Sequence, residues 1–527
     1  MKKHIAFIVF VVVILAVGFL TYRDYGVSWD EQEQMEIGRV NYIYITNSNP
    51  TLLNFADRYY GPFFETPLWR LTVNLPNPEM IYTRHLVIFL VFVFGVILLY
   101  VLAYRLFCNP WWSLITAILL VLSPRIFADS FYNSKDIPFL SFFTLAFLSM
   151  VWLVDIAWMQ KRWIVKFGAA AFSALTCAIA VDIRLPGIVL IPFTSFLLIG
   201  IVSCRPNRWK DVGILFVTYL ILSIGFIILF WPILWHDPIH EFINAYVHMS
   251  HYPWYHTILY RGQFIKASNI PWHYIPTWIL ITTPLLQLGG FVLGILGLVI
   301  VTGKGIFVNF PNSFRFYLNK ITPDGLAWFA VLGWLVGPLA TVIILHSVIY
   351  DAWRQMFFLY PAILLIAVYG MKTVYSQLSN VFKHPIGLNI LALVVLITGF
   401  LEPIVFTIRY YPFENVFFNV FAGNSTTLRQ DFEQDYWGLS YKQGIDYILS
   451  HDPSNKIKID ISELPGKEYI HYMLTPEQAS RLVLTPIEKS NYFITTFRWH
   501  PQNYGYGPEY FSIKVRGTEI MAVYKLK

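Results

Sequence analysis

Apolar segments long enough to cross a lipid bilayer recur along most of this chain of 527 residues. A helix of roughly 20 apolar residues spans the hydrocarbon core of a bilayer, which is about 30 Å thick. The sequence therefore predicts a polytopic α-helical membrane protein. About eleven transmembrane helices are expected, at residues 5–21, 85–107, 112–128, 137–158, 164–182, 186–204, 211–232, 276–302, 325–346, 355–371 and 386–408.

The composition agrees with burial in lipid. Hydrophobic residues make up 56% of the chain and charged residues 13%, whereas about 25% charged residues is usual in soluble domains. In a soluble protein the net charge of +7 would suggest a nucleic-acid partner. Here many positive residues lie at the ends of apolar segments, which is typical of membrane topology. We expect membrane lipids as partners, and no nucleic acid.

The same positive residues predict the orientation, because lysine and arginine favour the cytoplasmic side. No small-residue cleavage site follows the first apolar segment, so we interpret it as an uncleaved helix. We expect a multi-pass protein of the cell (inner or plasma) membrane with its N-terminus in the cytoplasm. Because the number of spans is odd, the C-terminus then lies on the outer side. The residues assigned to the cytoplasmic side are Lys2, Lys3, Arg105, Lys161, Arg162, Lys166, Arg205, Arg208, Lys210, Lys304, Arg315, Lys320, Lys372 and Lys383.

Charges and turn residues return after Arg409. We predict a transmembrane domain at residues 1–412 and a small soluble extracytoplasmic α/β domain at residues 413–527. Strands are expected at 456–461, 492–496 and 520–525, with Arg516-Gly517 turning a hairpin between 512–515 and 519–524.

The predicted outer loop 22–84 has helical features of its own. Ser28-x-x-Glu31 has the spacing of a capping box, in which two side chains satisfy backbone N–H groups at a helix start. A second apolar piece follows at residues 62–75. Both pieces are expected to form juxtamembrane helices that lie in the interface.

Asp30 and Glu31 form an adjacent acidic pair just after the first apolar segment. One interpretation is structural, with Glu31 completing the capping box and Asp30 complementing the helix N-terminus. The other makes Asp30 a general base that takes a proton from an acceptor hydroxyl. The two are compatible, because a capped helix start is a rigid mount for a base. Glu31 is the weaker catalytic candidate, and is kept as a substrate-binding one.

A short turn between two predicted spans holds four charges, Arg125, Asp129, Lys135 and Asp136. Asp136 alone could be a helix cap, with Pro138 in the first turn. The other three charges are not explained in that way. We therefore predict a functional cluster, with cations for a phosphate and carboxylates that bind a sugar or orient the cations.

A second polar turn runs from His346 to Arg354 and includes Asp351. Arg354 begins a span, where a side chain that extends to the interface is the ordinary interpretation. Alternatively, with Asp351 and His346 nearby, its fork of donors could hold a phosphate. Elsewhere, Asp182 and Arg184 could form a local ion pair at a helix end.

Six histidines lie in the predicted outer loop 233–275, but none has metalloprotease spacing with a glutamate. Aromatic packing in the interface is the favoured interpretation. We predict no bound metal and no cofactor, although a divalent cation is left open. The histidines are His236, His240, His248, His251, His256 and His273.

The order of these motifs resembles the polytopic GT-C glycosyltransferases of family 39, which include protein O-mannosyltransferases and the aminoarabinose transferases of lipid A. The resemblance covers most of residues 5–450, and it depends on the order and topology of the motifs. The similar stretches are Asp30-Glu31, Asn133-Ser-Lys-Asp-Ile-Pro138, Pro271-Trp-His-Tyr274 with Thr282-Thr-Pro284, Tyr350-Asp-x-x-Arg354, Tyr411-Pro-Phe-Glu-Asn-Val-Phe-Phe-Asn419 and Asp435-Tyr-Trp-Gly438.

This resemblance implies a sugar donor carried on polyprenyl phosphate, transfer at the outer membrane face with inversion, and Asp30 as the base. The acceptor is left open between glycan, lipid and protein. Related enzymes often carry a Pro-Pro pair with a nearby Lys or His in the first outer loop. Residues 60–67 lack that basic residue here. The expected phosphate ligands are therefore Arg125, Lys135 and Arg354.

Two other classes of protein compete with this hypothesis. A lipid or solute transporter or flippase would place key charges near the bilayer midplane, on broken helices, whereas the acidic residues here concentrate at one predicted face. A binding or scaffold protein would carry its function in residues 413–527 alone.

Overall fold

The structure of this protein, a computed structural model, describes residues 2–159, 161–250, 252–308, 322–382 and 385–527. Most of these residues form helices. The helices in chain order are α1 (Ile5–Thr21), α2 (Glu31–Asn47), α3 (Thr51–Asn54), α4 (Glu65–Thr72), α5 (Glu79–Phe107), α6 (Pro110–Val121), α7 (Pro124–Tyr132), α8 (Asp136–Trp158), α9 (Trp163–Ile183), α10 (Leu190–Cys204), α11 (Trp209–Phe230), α12 (Pro238–Ser250), α13 (Tyr274–Thr282), α14 (Leu285–Val308), α15 (Pro323–Ile344), α16 (Tyr360–Val381), α17 (Pro385–Tyr410), α18 (Leu428–Asp431), α19 (Tyr441–His451), α20 (Leu464–Tyr472) and α21 (Pro476–Arg481).

Within these described ranges, nine helical runs are long and apolar enough to cross a membrane, or ten if one bent pair counts as a single span. The predicted multi-pass helical architecture is therefore confirmed. The nine runs are Lys2–Thr21, Glu79–Phe107, Asp136–Trp158, Trp163–Ile183, Leu185–Cys204, Pro206–Phe230, Pro323–Ile344, Arg354–Val381 and Ile386–Tyr410.

The remaining predicted spans are interrupted at proline. Residues 112–128 fall in α6 and α7, which bend by 67° just before Pro124, and residues 276–302 divide into α13 and α14 just before Pro284. Proline disfavours helical backbone in the residue before it, and Ser123 and Thr283 are indeed extended. The predicted positions of Arg315, Lys320 and Lys383 lie outside the described residues, as does the side chain of Lys304.

The C-terminal region contains the predicted sheet, a five-stranded one in the order β4-β3-β5-β7-β6. β3 pairs in parallel with β4 and β5, and β7 pairs antiparallel with β5 and β6. A separate antiparallel hairpin of β1 and β2 precedes it. The strands are β1 (Thr257–Tyr260), β2 (Gln263–Lys266), β3 (Ile457–Ile461), β4 (Leu482–Leu484), β5 (Tyr492–Thr495), β6 (Phe511–Val515) and β7 (Thr518–Lys525).

The closing hairpin forms where the sequence predicts it. Arg516 and Gly517 both have positive φ angles, 50° and 85°, as a two-residue turn between twisted strands requires. The core beneath the sheet also includes Val27, Met35 and Ile81 from the N-terminal part of the chain. The sheet region thus packs on the segment that carries Asp30. The domain boundary at residue 412 stays a prediction.

The N-terminal loop contains the two predicted helices, α2 and α4, but the helix start differs from the expected capping box. Glu31 is the first residue of α2, and the Asp30 side chain makes no capping hydrogen bond. Glu31 Oε2 does accept from the Ser28 backbone N–H (2.7 Å). The Ser28 hydroxyl instead donates to the carbonyl of Tyr132 (3.4 Å). Only one half of the capping box therefore forms.

Candidate active site

Arg354 lies at the centre of a group of carboxylates from three distant parts of the chain. Its Nη1 donates to Oδ2 of Asp30 (2.9 Å) and to Oδ2 of Asp136 (3.1 Å), and its Nη2 donates to Oδ2 of Asp351 (3.0 Å). The Arg354 side chain is almost completely buried. A buried guanidinium held in this way has a fixed position and direction.

Local backbone structure explains why these groups meet. Asp30 immediately precedes α2, Asp136 is the first residue of α8, and Arg354 begins the 3₁₀ segment Arg354–Leu359. Asp351 and Ala352 adopt positive φ angles of 56° and 61°, which are uncommon for residues other than glycine and concentrate at functional sites. The resulting tight turn brings the Asp351 carboxylate to Arg354.

Lys135 supplies a second positive charge beside Asp30. Its Nζ lies 3.5 Å from Oδ2 of Asp30 and 4.4 Å from the centre of the Tyr60 ring. The next residue, Gly61, lies against the backbone of α9, where a Cβ would lie 1.2 Å from the carbonyl oxygen of Asp182. The loop after α3 therefore packs directly on the end of α9.

Two further arginines complete the group. Arg184 pairs with Oδ1 of Asp136, and Arg498 pairs with Oδ1 of Asp351. With all side chains ionised, the group holds one more positive charge than negative. We call it the ion-pair cluster, and its members are Asp30, Lys135, Asp136, Arg184, Asp351, Arg354 and Arg498.

Asp30 differs from the other two carboxylates in its accessibility. Its side chain is 21% exposed, whereas those of Asp136 and Asp351 are 1% and 3% exposed. Both of its ion pairs use Oδ2. Asp30 is therefore the acid of the cluster that a substrate can reach.

The charges of the cluster shift the pKa values of Asp30 and Lys135. Burial by itself would raise the pKa of Asp30, but the charges of Arg354 and Lys135 outweigh it and hold this pKa well below its usual range. Burial lowers the pKa of Lys135 to about 8, although the charge of Asp30 opposes the shift. Both groups are charged at neutral pH in the unliganded protein.

A largely apolar groove of about 210 Å³ has one member of the cluster, Arg184, in its lining. Arg184 and Tyr350 both line the groove, and the Arg354 guanidinium lies 5.4 Å from the Tyr350 ring centre. The apolar lining comes mainly from the 183–189 segment, α12, α15 and the 345–350 turn. It includes Ile183, Leu185, Ile188, Val189, Met249, Val342, Leu345, Val348, Ile349 and Met356.

Asp129 and Arg125 lie outside the ion pairs of the cluster. Asp129 accepts hydrogen bonds from Tyr132, Asn133 and the Trp437 indole (2.9, 2.9 and 3.2 Å). The same Asn133 amide also donates to Asp136 (3.0 Å). Asp129 therefore helps to hold the amide that contacts Asp136 of the cluster.

The guanidinium of Arg125 donates through Nε to the carbonyl of Phe417 (2.8 Å). It also lies over the rings of Phe418 and Trp278 (4.5 and 5.4 Å). These contacts place it among the aromatic side chains of Trp278 and Phe418, and Arg125 is absent from the groove lining.

Two other predicted binding residues, Glu31 and His346, contact groups outside the ion-pair cluster. Glu31 is fully buried, and its Oε1 lies 3.1 Å from Nε2 of His85. His346 is exposed, with Nδ1 3.1 Å from the Ile344 carbonyl.

The local ion pair expected between Asp182 and Arg184 is wrong. Asp182 accepts from the backbone N–H of Phe63 (2.7 Å), and Arg184 pairs with Asp136 instead. The chain turns from α9 into extended backbone at Arg184, and this directs the guanidinium toward the start of α8.

Sequence reasoning missed Arg184 and Arg498 as members of the cluster. The position of Arg184 was informative, because a charged residue between two apolar segments is by default a candidate for a functional site. Arg498 follows β5 in the C-terminal region, and its local sequence carries no signal for a partner 147 positions away.

No group of three or more His, Cys, Asp or Glu side chains is arranged to hold a metal ion in the part of the chain that the structure describes. The carboxylates of the cluster are instead neutralised by arginine and lysine. Of the six loop histidines, His251 lies outside the described residues. The predicted absence of a metal stays a prediction.

Comparison with solved structures gives low identities. The crystal structure of ArnT from Cupriavidus metallidurans in the apo state is 13% identical, covers 90% of this chain and 87% of that chain, and has a TM-score of 0.48. ArnT bound to undecaprenyl phosphate is 12% identical, with coverages of 98% and 97% and a TM-score of 0.46. The Archaeoglobus fulgidus oligosaccharyltransferase in the apo form is 11% identical, with coverages of 91% and 65% and a TM-score of 0.46.

Comparison by sequence is more informative for one part of the chain. No curated protein matches significantly. Residues 58–238, however, match the family model of the dolichyl-phosphate-mannose-protein mannosyltransferases. This stretch contains Lys135, Asp136 and Arg184 of the cluster. The resemblance to protein O-mannosyltransferases indicated by the sequence motifs is therefore confirmed over residues 58–238, and this membrane protein carries a glycosyltransferase-family segment across about a third of its length.

Proposed function

We propose that the protein is an integral membrane glycosyltransferase that moves a sugar from a polyprenyl-phosphate donor to an acceptor hydroxyl at the outer face of the membrane. The observation that carries this proposal is an apolar groove whose lining includes Arg184, a member of a cationic cluster with one accessible carboxylate. An amphiphile with a long apolar tail and an anionic head group fits such a site. The matched family's description names dolichyl phosphate as the carrier of mannose.

The donor would bind with its tail in the groove and its phosphate at the cluster. Arg184 lies at the junction, since it lines the groove and pairs with Asp136. Lys135 and Arg354 flank Asp30. These three cations are fixed before the donor arrives, so they stabilise the charge that develops on the departing phosphate without reorganising.

Asp30 would act as the general base. The acceptor hydroxyl attacks the anomeric carbon as its proton passes to Asp30, and the bond from that carbon to the phosphate oxygen breaks with its electrons on the phosphate. Attack opposite the leaving phosphate inverts the anomeric configuration. Bound phosphate would share Arg354 and Lys135 with Asp30, which weakens their hold on Asp30 and raises its pKa. Donor binding would thus make the base stronger.

The positions of the charges favour this chemistry over transport. Asp136 begins α8, Arg354 begins the run Arg354–Val381, Arg184 connects two runs, and Asp30 lies in a loop. Transporters typically hold their key charges near the middle of broken helices. The charge pattern of the loops supports an outer-face site.

The proposed activity can be tested with cells that contain or lack the protein. Mass spectrometry of their glycolipids and glycoproteins should show one acceptor class that loses a sugar when the protein is absent, and that regains it with the wild-type chain. Purified protein should then release polyprenyl phosphate from the donor in proportion to transfer. If every acceptor profile is unchanged while lipid distribution across the membrane changes, the flippase alternative replaces this proposal.

A bulky side chain in the groove should weaken donor binding. We expect Val342→Trp to lower the affinity for undecaprenyl phosphate at least about tenfold, because each excluded methylene is worth about 0.8 kcal/mol. Val336 on the same helix is 57% exposed and is absent from the groove lining, so Val336→Trp serves as the matched control. Binding of undecaprenyl phosphate in detergent is the measurement. Equal affinities of the two variants would contradict the groove assignment.

The pH dependence of the reaction should follow Asp30 and Lys135. Asp30 has a depressed pKa, so its basic form is present above that pKa and is lost only when the pH falls through it. The pKa of Lys135 is about 8, so its positive charge is lost as the pH rises through that value. We expect kcat/KM to be flat from about pH 5 to pH 7 and donor binding to weaken above pH 8. A Lys135→Arg variant should keep its donor affinity above pH 8.

A further inference from the structure

Arg498 connects the C-terminal sheet region to the centre of the site. It lies just after β5, and its side chain is 2% exposed. Its Nη2 pairs with Oδ1 of Asp351, and its Nη1 donates to the carbonyl of Tyr436 (2.8 Å). One guanidinium thus joins a residue of the C-terminal region to the turn that presents Arg354.

The same guanidinium also contacts the segment that carries the proposed base. It lies 4.7 Å from the ring centre of Trp29 and 4.9 Å from that of Trp499. Trp29 immediately precedes Asp30, and its backbone N–H donates to the carbonyl of Trp437 (3.1 Å). Arg498 therefore packs against both neighbours of the reacting centre, the Asp351 turn and the Trp29-Asp30 segment.

The two oxygens of Asp351 are divided between two arginines. Oδ1 is held by Arg498 and Oδ2 by Arg354. Because Oδ1 is occupied, Asp351 contacts Arg354 through Nη2 alone, and Nη1 of Arg354 stays directed at Asp30 and Asp136. A carboxylate released from Arg498 would be free to take both nitrogens of Arg354, since fork-to-fork pairing is the preferred geometry.

We infer that Arg498 is a positioning residue, through which the C-terminal region keeps Arg354 aimed at Asp30 and at the donor phosphate. Arg498 is absent from the groove lining, so it acts through Asp351. The inference rests on the proposed function where it names the donor phosphate. The arrangement of Arg354 relative to Asp30 can be tested without a donor.

The first experiment measures binding of undecaprenyl phosphate to the purified full-length protein. Arg498→Ala should lower the affinity at least about tenfold, because Asp351, once released from Arg498, draws Arg354 away from the phosphate position. Arg498→Lys should recover part of this loss. In an Asp351→Asn background, Arg498→Ala should have less than about a twofold further effect, since Arg498 acts through Asp351. Full affinity of Arg498→Ala, or an undiminished loss in the Asp351→Asn background, would overturn the inference.

Arg429 provides the matched control for folding of the C-terminal region. Its side chain is 11% exposed, paired with Glu519 (2.9 Å) and packed 3.9 Å from the Phe497 ring centre. Arg429→Ala should lower thermal stability but leave the affinity for undecaprenyl phosphate within about twofold of wild type. An equal loss of affinity in the Arg429→Ala and Arg498→Ala variants would reduce Arg498 to a structural role.

The second experiment needs no donor and reads the environment of Asp30. A carbodiimide reacts with protonated carboxyl groups, and mass spectrometry locates the product. Asp30 in the Arg498→Ala variant should react at a pH at least one unit higher than in wild type, because the Arg498 charge is lost and Arg354 no longer holds the Asp30 pKa down. Arg498→Lys restores that charge without the guanidinium fork, so part of the shift should remain in this variant if Arg498 positions Arg354. Wild-type and Arg429→Ala proteins should react alike.

If wild type does not bind undecaprenyl phosphate, the donor assignment fails, and this labelling alone decides the role of Arg498. Unchanged labelling in Arg498→Ala would refute that role.

Discussion

Replacing Asp30 with asparagine should reduce sugar transfer about 10²–10⁴-fold, the usual contribution of a positioned general base. Asparagine keeps an oxygen that can accept from Arg354 but cannot take the acceptor proton. The affinity for undecaprenyl phosphate should be unchanged or higher, since the variant removes a negative charge beside the phosphate position. Measured together, the turnover number and the donor affinity separate a chemical defect from a binding defect.

Glu31 provides the control for this experiment. It is the adjacent acid, but it is fully buried and contacts Ser28 and His85 rather than the cluster. Glu31→Gln keeps an acceptor for the Ser28 N–H and should transfer sugar within about threefold of wild type per folded molecule. Undiminished transfer by the Asp30→Asn variant, with normal folding, would show that the base lies elsewhere.

Replacing Arg354 with alanine should have the largest combined effect on stability and function. It leaves the buried carboxylates of Asp136 and Asp351 short of a partner, and removal of one member of a buried ion pair costs about 3–5 kcal/mol. Donor binding should fall with it, because the cation nearest Asp30 is lost. Arg354→Lys should recover part of the stability but little of the transfer, since one ammonium cannot reach three carboxylates in the guanidinium geometry. Thermal unfolding and undecaprenyl phosphate binding are the measurements.

Arg105 is the matched control for Arg354. It also bridges two carboxylates, Asp155 and Asp324 (both 2.7 Å), but its side chain is 29% exposed. Asp155 lies 19 residues after Asp136 on α8, which is about 28 Å along the helix. Arg105→Ala should lower stability by about 1 kcal/mol or less and leave transfer unchanged. If Arg105→Ala and Arg354→Ala reduce transfer equally, loss of transfer reports general destabilisation and the role given to Arg354 is wrong.

The sequence predicts five members of the cluster, because they occur in short polar stretches between apolar segments. Charges are rare in such surroundings, so Lys135 and Asp136 in one turn, and Asp351 with Arg354 in another, are informative. Their mutual geometry could not be predicted, since it depends on how α8 packs against the Arg354 segment. The expected role of Arg125 as a phosphate ligand stays a prediction, and the structure places its guanidinium among aromatic rings instead.

The sequence predicts those parts of the fold that depend on short stretches of residues. Hydropathy identifies the helical runs, and the Arg516-Gly517 turn identifies the closing hairpin. The breaks before Pro124 and Pro284 show the limit of hydropathy, which measures apolar length and not backbone continuity. A contact such as that between Arg498 and Asp351 depends on the docking of the sheet region, and no local pattern encodes it.

The seven members of the ion-pair cluster are spread over positions 30 to 498 of the chain. A ribosome must therefore synthesise almost the whole protein before the site can assemble, and Asp30 and Asp136 wait for the arginine that they share until residue 354 has been made. Until then, each acid has only its earlier cation, Lys135 for Asp30 and Arg184 for Asp136, and lacks the guanidinium that joins them. Nascent chains that stop before residue 498 should contain most of the helices yet lack an ordered site, so immature copies in the membrane would be inactive toward lipid-linked sugars.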